Sequence, residues 1–274
     1  DAEDGEAQEA GVSIVGGVGI TPGITNILAQ LCVDRLDSVE QIDIDFAAFR
    51  SIAHSPGLLH VILWEFDPRT ENRFYYEDGN LVPNPPFSGA RTVHFPEPIG
   101  TQTTYYVPHG ESQTLSKNVK GVKKVYIRGC FPPRAMDLVR TLYNYGIYTA
   151  EETAYIGNRI VPLEFINHYL LSAPEGDQTE VWGYSVQIEV IGTLRGYDVL
   201  YRFMTSHPPM NKWGGHRAYS KNVGIPLSIG AQMVAQGKAI KKGVDGIETM
   251  LPAAEFVEEL RKRDFVINES LDYR

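Results

Sequence analysis

Val181-Trp-Gly-Tyr-Ser-Val-Gln-Ile-Glu-Val-Ile191, then Gly192-Thr-Leu-Arg-Gly196, then Tyr197-Asp-Val-Leu-Tyr-Arg-Phe-Met-Thr205 is the stretch that decides the fold. Both flanks are rich in β-branched and aromatic residues, and the connector opens and closes on glycine. That pattern predicts a β-hairpin of two long strands. Strands of this length belong in the middle of a sheet.

Working outward, Gln41–Phe49 alternates and predicts a half-buried strand. Pro56–Phe66 is apolar almost throughout and reads as a helix, with a continuous strand as the alternative. Glu77-Asp-Gly-Asn80 is a hairpin turn, and strands follow at Arg91–Phe95, Thr101–Val107 and Val122–Arg128. Helices are expected at Ser112–Leu115, Pro133–Tyr145, Pro162–Ser172, from Gly224-Ile-Pro226 to about Gly237, and at Pro252–Arg263; Phe265–Ile267 is a last short strand. The chain opens with a helix stopped at Gly11, a strand over Val12–Val15, the turn Gly16–Gly19, and a helix with Thr21 as N-cap and Pro22 at N1. These elements predict an α/β (α+β) protein: a mixed sheet with helices on one face, flanked at both ends by α/β elements of a different layer. The uncovered sheet face is expected to pair in a homodimer.

Composition narrows the function. The 34 Asp and Glu outnumber the 25 Lys and Arg, for a net charge of −9, which argues against nucleic acid as a partner. A few local cations still suffice to hold an anionic ligand. No apolar run is long enough for a membrane span, so no membrane partner is expected. Cys32 and Cys130 sit in apolar surroundings and read as buried free thiols of a cytoplasmic protein. His54, His60, His94, His168 and His207 are scattered without ligand spacing, so no metal is expected. No Gly-x-Ser-x-Gly elbow supports a serine hydrolase. The acidic start without methionine sets the expectation that the chain begins inside a longer protein.

Three motifs, in order, resemble one family. Gly19-Ile-Thr-Pro22-Gly23-Ile-Thr25-Asn26 is similar to the Gly-x-x-Pro-Gly-x-(Ser/Thr)-Asn run of saccharopine dehydrogenases and L-lysine dehydrogenases. Tyr106-Val-Pro108-His109-Gly-Glu111-Ser-Gln-Thr114-Leu115 resembles their Tyr-x-Pro-His-x-Glu-x-x-Thr-Leu stretch. Gly224-Ile-Pro226 and Gly243–Pro252 resemble their returning C-terminal helix and loop. Gly110 and Thr249 depart from the usual pattern, and Pro22 stands where a dinucleotide fingerprint would place its third glycine. The resemblance implies a glyceraldehyde-3-phosphate-dehydrogenase-like C-terminal domain flanked by Rossmann-associated elements. Residues 1–35 would end the dinucleotide-binding domain, 36–215 would bind substrate and dimerise, and 216–274 would return; the main phosphate site would lie upstream. It further implies an NAD- or NADP-dependent oxidoreductase acting on the CH–NH bond of a small zwitterionic amino acid or opine. The alternatives are a carboxynorspermidine-type polyamine dehydrogenase, and a ligand-binding or dimerisation module without a nucleotide domain.

Such chemistry needs one group that titrates near neutrality and one or two cations to clamp carboxylates. His109 is the candidate acid/base, with Glu111 orienting it or holding a substrate amine; the competing reading has His109 capping the next helix and Glu111 pairing with a surface Lys. Gly19, Pro22, Gly23, Thr25 and Asn26 are candidates for the cofactor's edge, because helix N-termini present free N–H groups. Alternatively, the glycines serve a tight turn and Asn26 caps locally. Arg128, Arg202 and Arg217 are candidate carboxylate clamps or ordinary ion pairs. Tyr106, with Tyr105 and Trp182, walls a pocket or belongs to the core.

Overall fold

The structure, a computed structural model, describes residues 2–50, 55–149, 151–172, 183–206, 208 and 218–274. The expected residues Val181, Trp182 and Arg217 lie outside that set.

The chain runs α1 (Ala2–Glu9), β1 (Ser13–Gly16), α2 (Ile24–Val33), β2 (Ser38–Phe49), α3 (Pro56–Glu65), β3 (Phe74–Glu77), β4 (Asn80–Pro83), β5 (Arg91–His94) and β6 (Thr101–Tyr106). It continues through α4 (Glu111–Asn118), β7 (Lys124–Cys130), α5 (Pro133–Asn144), β8 (Thr153–Tyr155), β9 (Asn158–Ile160), α6 (Pro162–Ser172), β10 (Gly183–Leu194) and β11 (Tyr197–Ser206). It ends with α7 (Ala218–Ala235), β12 (Gly243–Gly246), α8 (Ile247–Met250), α9 (Ala253–Arg261) and β13 (Val266–Tyr273).

Nine strands form one mixed sheet, in the order β13-β11-β10-β2-β7-β3-β4 with the β5–β6 ribbon joined to β7. Only β2 and β7 run parallel; the other neighbours are antiparallel. The hairpin therefore is central, as its length predicts. Its connector is shorter than expected. β10 continues through Leu194, and the turn is Arg195-Gly196 alone, both at positive φ. Gly192 serves a bulge against β2 instead of the turn: a Cβ there would meet the Ser38 carbonyl oxygen at 2.0 Å.

β2 is not half-buried. Ile42, Ile44 and Phe46 are buried on one face, while Asp43 and Asp45 on the other are covered by Arg91, Arg128 and Thr104. Charge neutralisation lets both faces go under, which polar alternation in the sequence does not reveal. Helix α4 packs on β7 and touches α2. β1 and β12 make a separate parallel pair, on which α1 rests.

Three boundaries move. Helix α2 starts at Ile24, not Pro22, because the Gly19 and Ile20 carbonyls already accept the Ile24 and Thr25 N–H groups. Helix α7 begins before Gly224 and carries Pro226 inside it. β13 is eight residues long and closes the sheet edge against β11. Its charged residues hide the strand from a hydrophobic pattern; Glu269 pairs with Arg35 and Asp272 with Arg202.

Gly129 in β7 lies in register with Phe46, and a Cβ at Gly129 would stand 2.2 Å from the ring. We expect Gly129→Val to lower stability by about 1–3 kcal/mol through overpacking. Urea unfolding checks this, and an unchanged midpoint would remove Gly129 as the floor under Phe46.

Candidate active site

The Gly17–Gly23 turn between β1 and α2 overhangs the ends of β2 and β10. Between them lies a cleft of about 320 Å³, in the range of small-ligand sites. Gly17, Gly19 and Pro22 line it from the turn, Phe46 and Ala48 from β2, Val61 and Glu65 from α3, and Tyr184 from β10. Thr21 and Tyr184 share a hydrogen bond of 2.5 Å between their hydroxyls across one edge.

The turn requires glycine at one place above all. Gly23 sits at φ +140°, and a Cβ would meet the Gly19 carbonyl oxygen at 2.1 Å. Gly17 and Gly19 present backbone to the cleft without side chains, which suits close approach of a flat ring. Apolar walls and bare backbone fit the nicotinamide end of a dinucleotide.

Thr25 and Asn26 do not line the cleft. They are 0% and 2% exposed, turned inward behind the turn. Asn26 Oδ1 accepts from the Gly23 N–H at 3.1 Å, and its Nδ2 donates to Thr114 Oγ1 and Glu248 Oε2, each at 3.1 Å. Glu248 also accepts from Asn118 at 2.8 Å. Thr25 Oγ1 donates to Glu111 Oε1 at 2.9 Å. Asn26 thus caps locally and also ties α2 to α4 and α8.

His109 stands one layer behind the cleft. Its ring stacks on Phe46 at 5.1 Å, and Nε2 lies 3.3 Å from Glu65 Oε1. Glu111 is the first residue of α4, and its Oε2 lies 3.8 Å from His109 Nδ1. Burial pulls the His109 imidazole down, but the hydrogen bond with Glu65 and the charges of Glu65 and Glu111 outweigh it, leaving His109 above its ordinary value. Burial also holds Glu111 above the usual carboxyl range, against the pull of His109 and Thr25.

Glu65 was not among the residues expected from sequence, and it is the acid that reaches the cleft. Its signal was present: a lone acid ending the apolar run Leu58–Trp64, a position that is buried only with a partner.

The structure does not bring Arg128 or Arg202, the two expected carboxylate clamps among the described residues, here. Side chains alternate along β2, so Phe46 faces the cleft while Asp43 and Asp45 face the opposite side. Arg128 belongs to that opposite side: Nη1 donates to Asp43 at 2.7 Å and Nη2 to the Tyr106 hydroxyl at 3.3 Å, with the guanidinium 4.7 Å above the Tyr106 ring. Arg202 joins Glu189 at 2.7 Å on the same side. Burial pushes Asp45 up to about 6 although Arg91 and Arg128 pull it back. Being on a strand end did not say which face a side chain takes; the register with β2 does.

The family model for the saccharopine dehydrogenase C-terminal domain matches residues 19–266. The chain belongs to the saccharopine dehydrogenase family. It is 26% identical over 250 residues to a carboxyaminopropylagmatine dehydrogenase of Synechocystis sp., covering 89% of this chain and 62% of that protein. It is 23% identical over 263 residues to a carboxynorspermidine synthase of Vibrio alginolyticus, covering 89% and 60%. The chain therefore spans about three fifths of the length of these curated relatives. A saccharopine dehydrogenase (L-Glu forming) from Saccharomyces cerevisiae, solved in its apo form, superposes with a TM-score of 0.67 at 13% identity. The match covers 99% of this chain and 76% of that one, and at this identity it is a likeness of fold.

Asn26→Ala strands the buried Glu248 Oε2 and the Gly23 N–H. We expect a loss of about 1.5–3 kcal/mol, measured by urea unfolding; wild-type stability would deny Asn26 its joining role.

Proposed function

We propose that this chain is the substrate-side portion of an NAD(P)-dependent oxidoreductase acting on the CH–NH bond of a small amine, with a carboxylated polyamine as substrate in preference to saccharopine or lysine. One observation carries the reading. Glu65 is the only Asp, Glu, Lys, Arg or His among the described residues that line the cleft. A lone acid in an apolar cleft selects a cation. A polyamine derivative carries more ammonium groups than carboxylates, whereas saccharopine carries more carboxylates than amines; lysine shares the ammonium excess, and against it the reading rests on the relatives' names. The names of the Synechocystis and Vibrio relatives point the same way.

Gly17, Gly19 and Pro22 would hold the nicotinamide, which when bound takes or gives the hydride. Glu65 places the substrate nitrogen, and Phe46, Phe131 and Tyr184 keep the cleft dry. The test is reduction of NAD⁺ and NADP⁺ by the full-length protein with carboxynorspermidine, carboxyaminopropylagmatine, saccharopine and lysine. Turnover is expected with a carboxylated polyamine; turnover with saccharopine or lysine alone would reverse the substrate assignment.

The charged sheet face, where Arg91, Arg128 and Arg202 meet Asp43, Asp45 and Glu189, is proposed as the homodimer interface. Sedimentation is expected to give the mass of two chains, and a monomer would remove this proposal. The thiols of Cys32 and Cys130 are buried and unbridged, which suits a reducing cytoplasm. No helix among the described residues is long and apolar enough to cross a membrane.

A further inference from the structure

Behind the cleft wall three ionisable side chains stand in a row, from three separate segments: Glu65 at the end of α3, His109 in the loop after β6, and Glu111 at the start of α4. Their links are the 3.3 Å and 3.8 Å approaches of His109 to the two carboxyl groups. Glu65 and Glu111 are 2% and 0% exposed. Glu65 Oε2, His109 Nδ1 and Glu111 Oε2 are buried without a hydrogen-bond partner among the described residues. Three such atoms together, one of them on a residue of the cleft wall, are more than packing requires. A native structure keeps orphaned polar atoms where they serve a purpose.

We infer that Glu65, His109 and Glu111 form a proton relay for the substrate's amine nitrogen. The inference rests on the oxidoreductase reading above and names the groups that handle its proton. The substrate enters as a secondary ammonium ion paired with Glu65. One N–H proton passes to Glu65, and from Glu65 Oε1 to His109 Nε2, so that Glu65 returns to its ionised form and His109 becomes imidazolium. The nitrogen keeps the electron pair of the broken N–H bond. That pair forms the C=N bond as the neighbouring carbon gives its hydride to the nicotinamide. Glu65 is the catalytic residue; His109 and Glu111 are positioning residues, acting through it.

The surroundings suit this. In its Nδ1–H tautomer His109 turns its N–H towards Glu111 and its lone pair towards Glu65. Phe46 fixes the ring from one side, and Thr25 Oγ1 holds Glu111. Charged groups among the described residues also face the row. Glu248 lies on the Glu111 side and opposes its ionisation. Arg73 donates to the main-chain carbonyl of Glu65, and Arg50 donates to that of Leu58 in the same helix. Two acids against one imidazole favour the imidazolium, so the relay retains a proton above the ordinary histidine range.

Oxidation requires His109 to be free to accept. The rate of amine oxidation is therefore expected to rise with pH along a limb above the ordinary histidine value of about 6.5. Glu65→Gln, nearly isosteric, is expected to cut kcat by about 10²–10⁴-fold, as loss of a general base does, and to move the limb down, because burial then prevails. Glu111→Gln is expected to retain far more activity and still shift the limb down. A second readout needs no cofactor: the ¹⁵N shifts of the His109 ring, followed against pH, should titrate above the ordinary value in the wild type and fall in Glu65→Gln. If His109 titrates at its ordinary value, or Glu65→Gln leaves titration and turnover unchanged, the relay is overturned. If the wild type oxidises no amine while His109 remains coupled to Glu65, the oxidoreductase reading fails, and with it the relay's role in turnover.

Discussion

The site depends on one carboxamide. Asn26 sits at the N-terminus of a buried helix, where main-chain N–H groups lack helical partners, and hydrogen bonds of its side chain hold Gly23, Thr114 and Glu248. Those residues come from the glycine turn, from α4 and from the segment after β12. With Thr25 bound to Glu111 beside it, this corner fixes the overhanging turn relative to the row behind the cleft. A shift in any one segment breaks its bond to this shared carboxamide.

From that corner the chemistry extends through packing. Phe46 lies over Gly129, with His109 stacked on it at 5.1 Å and Tyr184 at 5.7 Å. The imidazole is thereby held by an apolar face and two acids, with only about a tenth of its side chain open to solvent. The same sheet has a different character on its reverse, where arginines and acids neutralise one another. One strand, β2, serves both faces by alternating Phe and Ile with Asp.

Much of this was legible in the amino-acid sequence. The paired strands at 183–206 follow from β-branched runs and a short polar break, and the overhanging turn follows from Gly19, Pro22 and Gly23. The motif around His109 marked the histidine that the structure sets between Glu65 and Glu111. What it did not give was depth. Glu65 is 44 residues from His109, and the apolar run that ends on it hints at burial without naming the partner. Arg128 and Arg202 look equally able to reach a cleft until the pairing of β7 and β11 with their neighbours fixes which way they point. β13 escaped because charged edge residues mask its alternation. Periodicity reports a segment's own preference, whereas these features are set by partners far along the chain.

The parallel pairing of β1 with β12 joins residues 13–16 to 243–246, two stretches at opposite ends of this chain. Each runs directly into the site: Gly16 into the glycine turn, Gly246 into α8 and Glu248, whose carboxyl group grips Asn26. The turn is consequently tethered twice, once through the backbone and once through a side chain, from a single two-stranded ribbon. Displacing that ribbon would carry both tethers with it, so the cleft's roof moves as one piece instead of fraying residue by residue.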